Sequence, residues 1–456
     1  MNNTSHRIIK LNGLLFYHTT RFILRGSYMK KTILLSLTAL LMTLLLTVGF
    51  NTAIEAASSK SAAVSPGLSV IAHYTPMARA GIVGNEILFT PDDFERALNL
   101  SRVSSVTITE VPDAADGELL VGSVNIRPGD TISRANLELL SFSAAAPDVR
   151  SSSFSFSANG SSYSIKCSLY LLDKVNYSPT TSGGGTLEVS TYRDIAAFGR
   201  FYAYDPEGDS MTYQVVKYPE HGALILLDND GRYVYMPDLG FAGKDKVTYV
   251  VSDKYGNYSA AATVTLRVEK NTASLAFDDM KWNAAYSAAV RLTSAGIMSG
   301  TRIGNGYYFY PNQTVSRSEF LVMAMKAAGV SNLPKVDDTG FYDDNDIPAA
   351  MKSYIGAAAR AGYIKGEEVD GKRYFYPDRE ITGAEAAIIV ANIMGLKNDG
   401  SISVSVGNAS IPAWAKNEVY ALVSAGIIDV VDYNFTGSVT RGDAAELLAA
   451  MMRGLK

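Results

Sequence analysis

Ser316-Arg317-Ser318-Glu319, Thr382-Gly383-Ala384-Glu385 and Thr440-Arg441-Gly442-Asp443 are three versions of one local design. In each, a hydroxyl residue precedes an acid by three positions and an apolar helical run follows. That spacing predicts a capping box, in which the hydroxyl accepts from a first-turn N–H and the acid accepts from the N–H of the cap itself. An earlier apolar stripe at helical spacing precedes every box: Ala285, Ala289, Leu292 and Gly296 with Tyr286, Val290 and Ile297, then residues 355–364, then 419–428. Three helix pairs therefore follow one another from Phe277. The interval from Gly296 to Arg317 equals that from Gly362 to Gly383, whereas Gly426 to Arg441 is six residues shorter. The loss falls in the loop that reads Tyr307-Tyr308-Phe309-Tyr310-Pro311 in the first pair and Tyr374-Phe375-Tyr376-Pro377 in the second.

Arginine at the first helical position opposes the helix dipole. Its presence at Arg317 and Arg441 makes sense if the guanidinium, with free backbone donors beside it, holds an anion. The region resembles three S-layer homology repeats. The residues carrying the likeness are Phe277-Asp278-Asp279-Met280, Trp282, Ala295-Gly296-Ile297 and Phe309-Tyr310-Pro311 in the first unit. The second has Phe341-Tyr342-Asp343, Ile347-Pro348 and Ala361-Gly362-Tyr363-Ile364, and the third Ile411-Pro412-Ala413-Trp414 and Ala425-Gly426-Ile427-Ile428. The resemblance implies an all-α trio over 277–332, 341–397 and 401–456 that attaches an exported protein to a secondary cell wall polymer, often pyruvylated, or to a peptidoglycan-linked glycan. It also implies that Arg317 and Arg441 contact the anion, with Asp279, Trp282, Glu319 and Trp414 as further polymer contacts. Gly383 stands where the second unit should have arginine, and the third unit lacks both the Phe-x-Asp opening and a full loop. At most two grooves follow, and Arg441→Ala is expected to matter less than Arg317→Ala.

Upstream, residues 58–269 read as β-structure. Val247, Tyr249 and Val251, and again Val264, Leu266 and Val268, alternate with more polar or outward residues, the period of strands with one face on a core. Asp228-Asn229-Asp230-Gly231 between two apolar runs predicts a hairpin, and residues 180–185 a long turn or linker. A weak internal repeat, Pro112 with Gly117-Glu118-Leu119 against Pro219 with Gly222-Ala223-Leu224, predicts two tandem Ig-like sandwiches. They are assigned to 101–175 and 176–270, with 58–100 as leader and β-region start. The second resembles bacterial Ig-like, cadherin-like repeats through Asn176-Tyr177-Ser178-Pro179, Asp205-Pro206-Glu207-Gly208-Asp209, Pro219-Glu220-His221-Gly222 and Gly243-Lys244-Asp245. Asp205, Glu207, Asp209 and Asp253 offer the clustered oxygens a calcium ion wants, and equally the carboxylates that cap turns.

Residues 32–50 carry no charge, follow Lys30-Lys31 and lead into small residues, so 1–57 read as an upstream extension and a secretory signal, with translation starting at Met29. This segment is the expected membrane contact. The whole chain of 456 residues carries a net charge of −4, without the basic footprint of a nucleic-acid binder. One cysteine, Cys167, excludes an intramolecular disulfide, and with four histidines it leaves little material for a nucleophile–imidazole pair or a transition-metal site. An acidic, disulfide-free exported chain fits a Gram-positive surface. Arg441-Gly442-Asp443 spells an adhesion tripeptide but occupies a repeated cap. The resulting expectation is a non-enzymatic surface protein whose β-modules act as spacers or bind an extracellular protein or carbohydrate. The competing reading is a wall- or polysaccharide-active enzyme with its acids among Asp92, Asp93, Glu95, Asp113 and Asp116.

Overall fold

The computed structural model describes residues 77–181, 187–397, 410–430 and 432–455. The expected signal and leader, the glycine-rich turn at 182–185 and the start of the third unit at 401–409 lie outside the described residues.

The first sandwich packs a five-stranded sheet, in the order Met77–Ile82, Ile165–Leu172, Ser151–Ala158, Ser105–Glu110, Thr131–Ser133, against a four-stranded sheet. The domain therefore takes in residues 77–100, and its boundary is not at 101. Met77–Ile82 pairs in parallel with Ile165–Leu172. A two-residue strand, Ile87–Leu88, and helix α1 (Pro91–Ala97) then place Ile87, Phe89 and Phe94 in the core. Phe94 meets Phe156 edge to face at 5.1 Å. Strand and helix alternate too quickly in this stretch for either period to emerge. Cys167 is fully buried in the central sheet, and burial pushes its thiol far above the usual range, so it is packing material.

The second sandwich has four strands, Leu187–Tyr192, Ala262–Glu269, Gly243–Asp253 and Met211–Lys217, facing three, Ala197–Arg200, Arg232–Pro237 and Gly222–Leu226. As in the first, its opening strand runs parallel to its last. The alternating set Val247, Tyr249, Val251, Val264, Leu266 and Val268 is buried. The hairpin forms as read, with Gly231 at φ +80° and Asp228 accepting from the N–H groups of Asp230 and Arg232.

Among its described residues the C-terminal region holds six α-helices: α2 (Tyr286–Ser294), α3 (Arg317–Ala327), α4 (Ala349–Arg360), α5 (Gly383–Met394), α6 (Lys416–Ser424) and α7 (Arg441–Gly454). The inner helices α3, α5 and α7 pack together, and each outer helix lies on the inner helix of a different pair: α2 on α7, α4 on α3, α6 on α5. Small buried residues such as Ala324, Ala387, Ala391, Ala445 and Ala449 allow the close approach. The region is not purely helical. Short hairpins, Thr301–Ile303 with Gly306–Tyr308 and Glu367–Val369 with Lys372–Tyr374, separate the helices of the first two pairs. Tyr192 and Ile195 of the second sandwich share one continuous core with α2 and its neighbours, and Arg291 of α2 pairs with Glu269 at 3.5 Å.

Candidate functional site

The three capping boxes form as read. Ser316, Thr382 and Thr440 accept from the N–H groups of Glu319, Glu385 and Asp443, and each acid accepts from its cap. What the sequence conceals is that the boxes interlock. The residues just before the caps close a ring of backbone bonds: Val315 N–H donates to Val439, Val439 N–H to Ile381, and Ile381 N–H to Val315, at 2.8–3.1 Å. Each helix start then donates its first two N–H groups to a loop of the next unit. Arg317 and Ser318 donate to Arg379 and Pro377, Gly383 and Ala384 to Gly437 and Phe435, and Arg441 and Gly442 to Gln313 and Pro311.

Two sequence-based expectations change. The first-turn donors are not free to bind an anion, because neighbouring carbonyls already satisfy them. Nor does an arginine serve the loop of its own unit. Arg441, from the third unit, closes over the complete loop of the first. Its Nε and Nη2 donate to the carbonyls of Phe309 and Ser299 at 2.8 and 2.6 Å, and its guanidinium lies 4.7 Å from the Phe309 ring centre. Arg317 closes over the complete loop of the second unit, 5.4 Å from the Phe375 ring centre, with Nη1 on Glu385 at 3.1 Å. The short loop of the third unit faces Gly383. Both departures of the sequence therefore fall in the same interface.

The two arginines differ in their electrostatics. Arg317 is buried, 8% exposed, and burial pulls its pKa below the ordinary value against the opposing pull of Glu385. Glu385 neutralises it and also pairs with Arg379 at 2.5 Å, while Arg317 Nε is buried without a partner. Arg441 is half-buried. Desolvation lowers its pKa and the fields of Glu319 and Asp279 raise it, but among the described residues no carboxylate lies within ion-pair distance. Its charge is held by neutral carbonyls.

Asp279 positions the loop through both of its oxygens. They accept from the N–H groups of Phe309 and Tyr310 at 2.8 and 2.6 Å, fixing Tyr310 at φ +58°. Asp343 does the same for Phe375 and Tyr376, the latter at φ +57°. A non-glycine residue at such φ is strained, and the carboxylate compensates by taking two otherwise orphaned donors. Phe309 and Phe375 are thereby turned into the core, while Tyr308 stacks with Tyr310 and Tyr374 with Tyr376 toward the surface. Trp282, in the same turn as Asp279, is 45% exposed, and Trp414 is 61% exposed on the turn packed on α5. The sequence named Asp343 only as part of a motif and Glu385 only as a capping acid, and it did not single out Tyr433; their roles at the interfaces were not read from it. The Phe-x-Asp recurrence was the available signal for Asp343.

At the third interface Tyr433 donates its hydroxyl to the Gly383 carbonyl at 3.0 Å. A Cβ at Gly383 would lie 1.9 Å from the Asn434 carbonyl oxygen. Glycine is required there, and no arginine can be restored.

In the second sandwich one oxygen from each of Asp205, Glu207 and Asp209 lies within 4.8 Å of the others. Asp205 Oδ1 accepts from the N–H groups of Glu207 and Asp209, while Asp205 Oδ2 and Asp209 Oδ2 are buried without hydrogen bonds. Lys254 pairs with Asp209 at 2.8 Å. Asp253 is not brought into this cluster. Its oxygens accept from Asn176, Asn257 and the Tyr255 N–H. In the first sandwich Asp93 pairs with Arg79, Glu95 with Arg134, and Asp116 accepts from Ser152.

The bacterial cadherin-like domain family matches residues 174–270 and the S-layer homology domain family residues 340–387. The Surface-layer 125 kDa protein of Lysinibacillus sphaericus is 27% identical over 32% of this chain and 11% of its own length. S-layer protein EA1 of Bacillus anthracis is 28% identical over 35% of this chain and 18% of its own. Exoglucanase XynX of Acetivibrio thermocellus is 29% identical over 39% and 16%. The chain thus spans less than a fifth of the length of each. Joining a bacterial cadherin-like domain to an S-layer homology domain, the chain is a protein of the cell-wall, S-layer surface.

Proposed function

We propose that residues 277–456 form three S-layer homology units that anchor the chain non-covalently to an anionic secondary cell wall polymer through two grooves. One groove joins Arg441 to the loop of the first unit, where Tyr310 and Trp282 offer ring faces to sugars. The other joins Arg317 to the loop of the second. The third is closed by Tyr433 and Asn434. The observation that carries this reading is Arg441, a partly desolvated guanidinium without a carboxylate partner among the described residues, set over the loop of a unit with exposed aromatic residues. An anion gains most from a cation that is preorganised and not already neutralised. The test is sedimentation of the full chain with purified sacculi. Loss of binding in the Arg317→Ala/Arg441→Ala double variant supports the reading, and undiminished binding overturns it.

The β-sandwiches serve as a spacer, with the second fused to the anchor through the shared core around Tyr192. A catalytic role for the first finds little support, because Asp93, Glu95 and Asp116 are engaged in local structure. Calcium at Asp205, Glu207 and Asp209 is the second element of the proposal, supported by the two buried carboxylate oxygens that lack hydrogen bonds, an arrangement that costs free energy unless a cation meets it. Millimolar calcium should raise the melting temperature of the parent and leave Asp205→Asn unchanged. No shift in the parent reduces the cluster to turn chemistry.

A further inference from the structure

Between the second sandwich and the helical region lies an open cleft of about 1100 Å³. The sandwich contributes Arg200, Tyr202, Tyr213 and Asp230, and α7 contributes Glu446 and Arg453. None of these residues belongs to either groove described above. Arg200 donates to both oxygens of Asp432 at 2.9 Å, and Tyr202 donates to Asp429 at 3.0 Å. With the shared core around Tyr192, these bonds hold the two walls at a fixed separation. The cleft is a preformed space, of the size and at the kind of domain junction that ligands use.

Its charges indicate the ligand. Arg200 is spent on Asp429 and Asp432, 3.7 and 2.9 Å away. Among the described residues, Glu446 and Asp230 have no ion-pair partner within 4 Å. Glu446 is exposed on the α7 wall of the cleft. Partial desolvation by the flanking protein, with the fields of Asp443 and Asp432 and against that of Arg453, pushes its carboxyl up to about 7. Arg453 is itself held down by desolvation and by Arg291. The free carboxylates stand on opposite walls, and of the three-acid cluster at Asp205, Glu207 and Asp209 only Asp209, already paired with Lys254, reaches the lining of the cleft. Spaced anions with tyrosine rings between them suit an extended ligand whose cations are carried on ring-shaped units, since a ring face packs on an aromatic face and an ammonium favours both carboxylate and π-face.

We propose that this cleft binds a saccharide chain bearing free amino groups, with its ammonium groups met by Glu446 and Asp230 and its sugar rings by Tyr202 and Tyr213. The proposal is independent of the anchoring reading. Calorimetric titration of the full chain with a glucosamine tetramer at about pH 7, where the sugar amines keep much of their charge and Glu446 is not fully protonated, tests it. Saturable binding is expected, weakened about tenfold or more by Glu446→Gln or by Asp230→Asn, as loss of a charged hydrogen bond implies. Arg441→Ala should bind the tetramer like the parent, which separates this site from the anchor. An N-acetylglucosamine tetramer should bind at least about tenfold more weakly for want of the ammonium. The proposal is overturned by absence of binding at millimolar tetramer, by equal affinity for the acetylated tetramer or for tetralysine, or by indifference to both carboxylate substitutions.

Discussion

The helix starts at Arg317 and Gly383 share a cap, an acid, an interlocking backbone bond and a neighbour's loop, yet one holds a buried cation and the other has no room for a methyl group. The difference lies in the facing loops. Arg317 meets the long loop of the second unit, whose Phe375 turns inward under Asp343 and leaves a platform 5.4 Å from the guanidinium. Gly383 meets the shortened loop of the third, which brings the Asn434 carbonyl and Tyr433 directly onto its backbone. The loop that is six residues shorter and the glycine that replaces arginine in a different unit therefore belong to one interface. The lesson is that in an interlocked trio an insertion or deletion is felt by the neighbouring unit.

The sharpest way to break this comparison is Gly383→Arg. If the interface is as closed as the geometry indicates, the substitution costs on the order of 3 kcal/mol through overpacking, read as a lowered urea midpoint with an unchanged slope, and it recruits no new polymer binding. A variant that folds normally and binds more polymer would show that the groove can open. Next in size is Arg441→Ala. It should reduce affinity for sacculi about tenfold to a hundredfold, corresponding to one or two charge-assisted bonds of roughly 1.5–3 kcal/mol. This reverses the order expected when each arginine was assigned to its own unit.

Arg317→Ala should affect stability more than its partner does. Removing one member of a buried pair strands the other, but Arg379 remains on Glu385 at 2.5 Å, so the expected loss is about 1–3 kcal/mol, with a smaller fall in polymer affinity than that of Arg441→Ala. Equal or larger loss of binding at Arg317 would mean that its unpartnered Nε, and not the uncompensated charge of Arg441, is the dominant contact. The smallest effect belongs to Tyr433→Phe, which deletes the bond to the Gly383 carbonyl. A loss of about 1 kcal/mol, with sacculus binding unchanged, is expected from thermal unfolding and sedimentation. Increased binding would identify the tyrosine as a movable plug.

Much of the architecture was legible in local pattern. Period-two alternation located the strands carrying Val247 and Val264, Gly231 marked a hairpin, and three hydroxyl–acid spacings marked three helix starts, because each signal depends on residues within a few positions of one another. The span 77–100 was opaque because a two-residue strand and a seven-residue helix are too short for either period to register. The all-helical expectation missed two hairpins for the same reason. In the site, the sequence determined which residue types stand at the caps and which loop is short. It could not determine which loop faces which cap. That pairing is set by the cyclic exchange of backbone bonds among Val315, Val439 and Ile381, contacts between residues 58 to 124 positions apart in the chain. Only the tertiary structure decided that Arg441 serves the first unit, that Asp279 holds a loop, and that glycine at 383 is imposed by the Asn434 carbonyl, because a backbone hydrogen bond reads geometry and carries no side-chain signature.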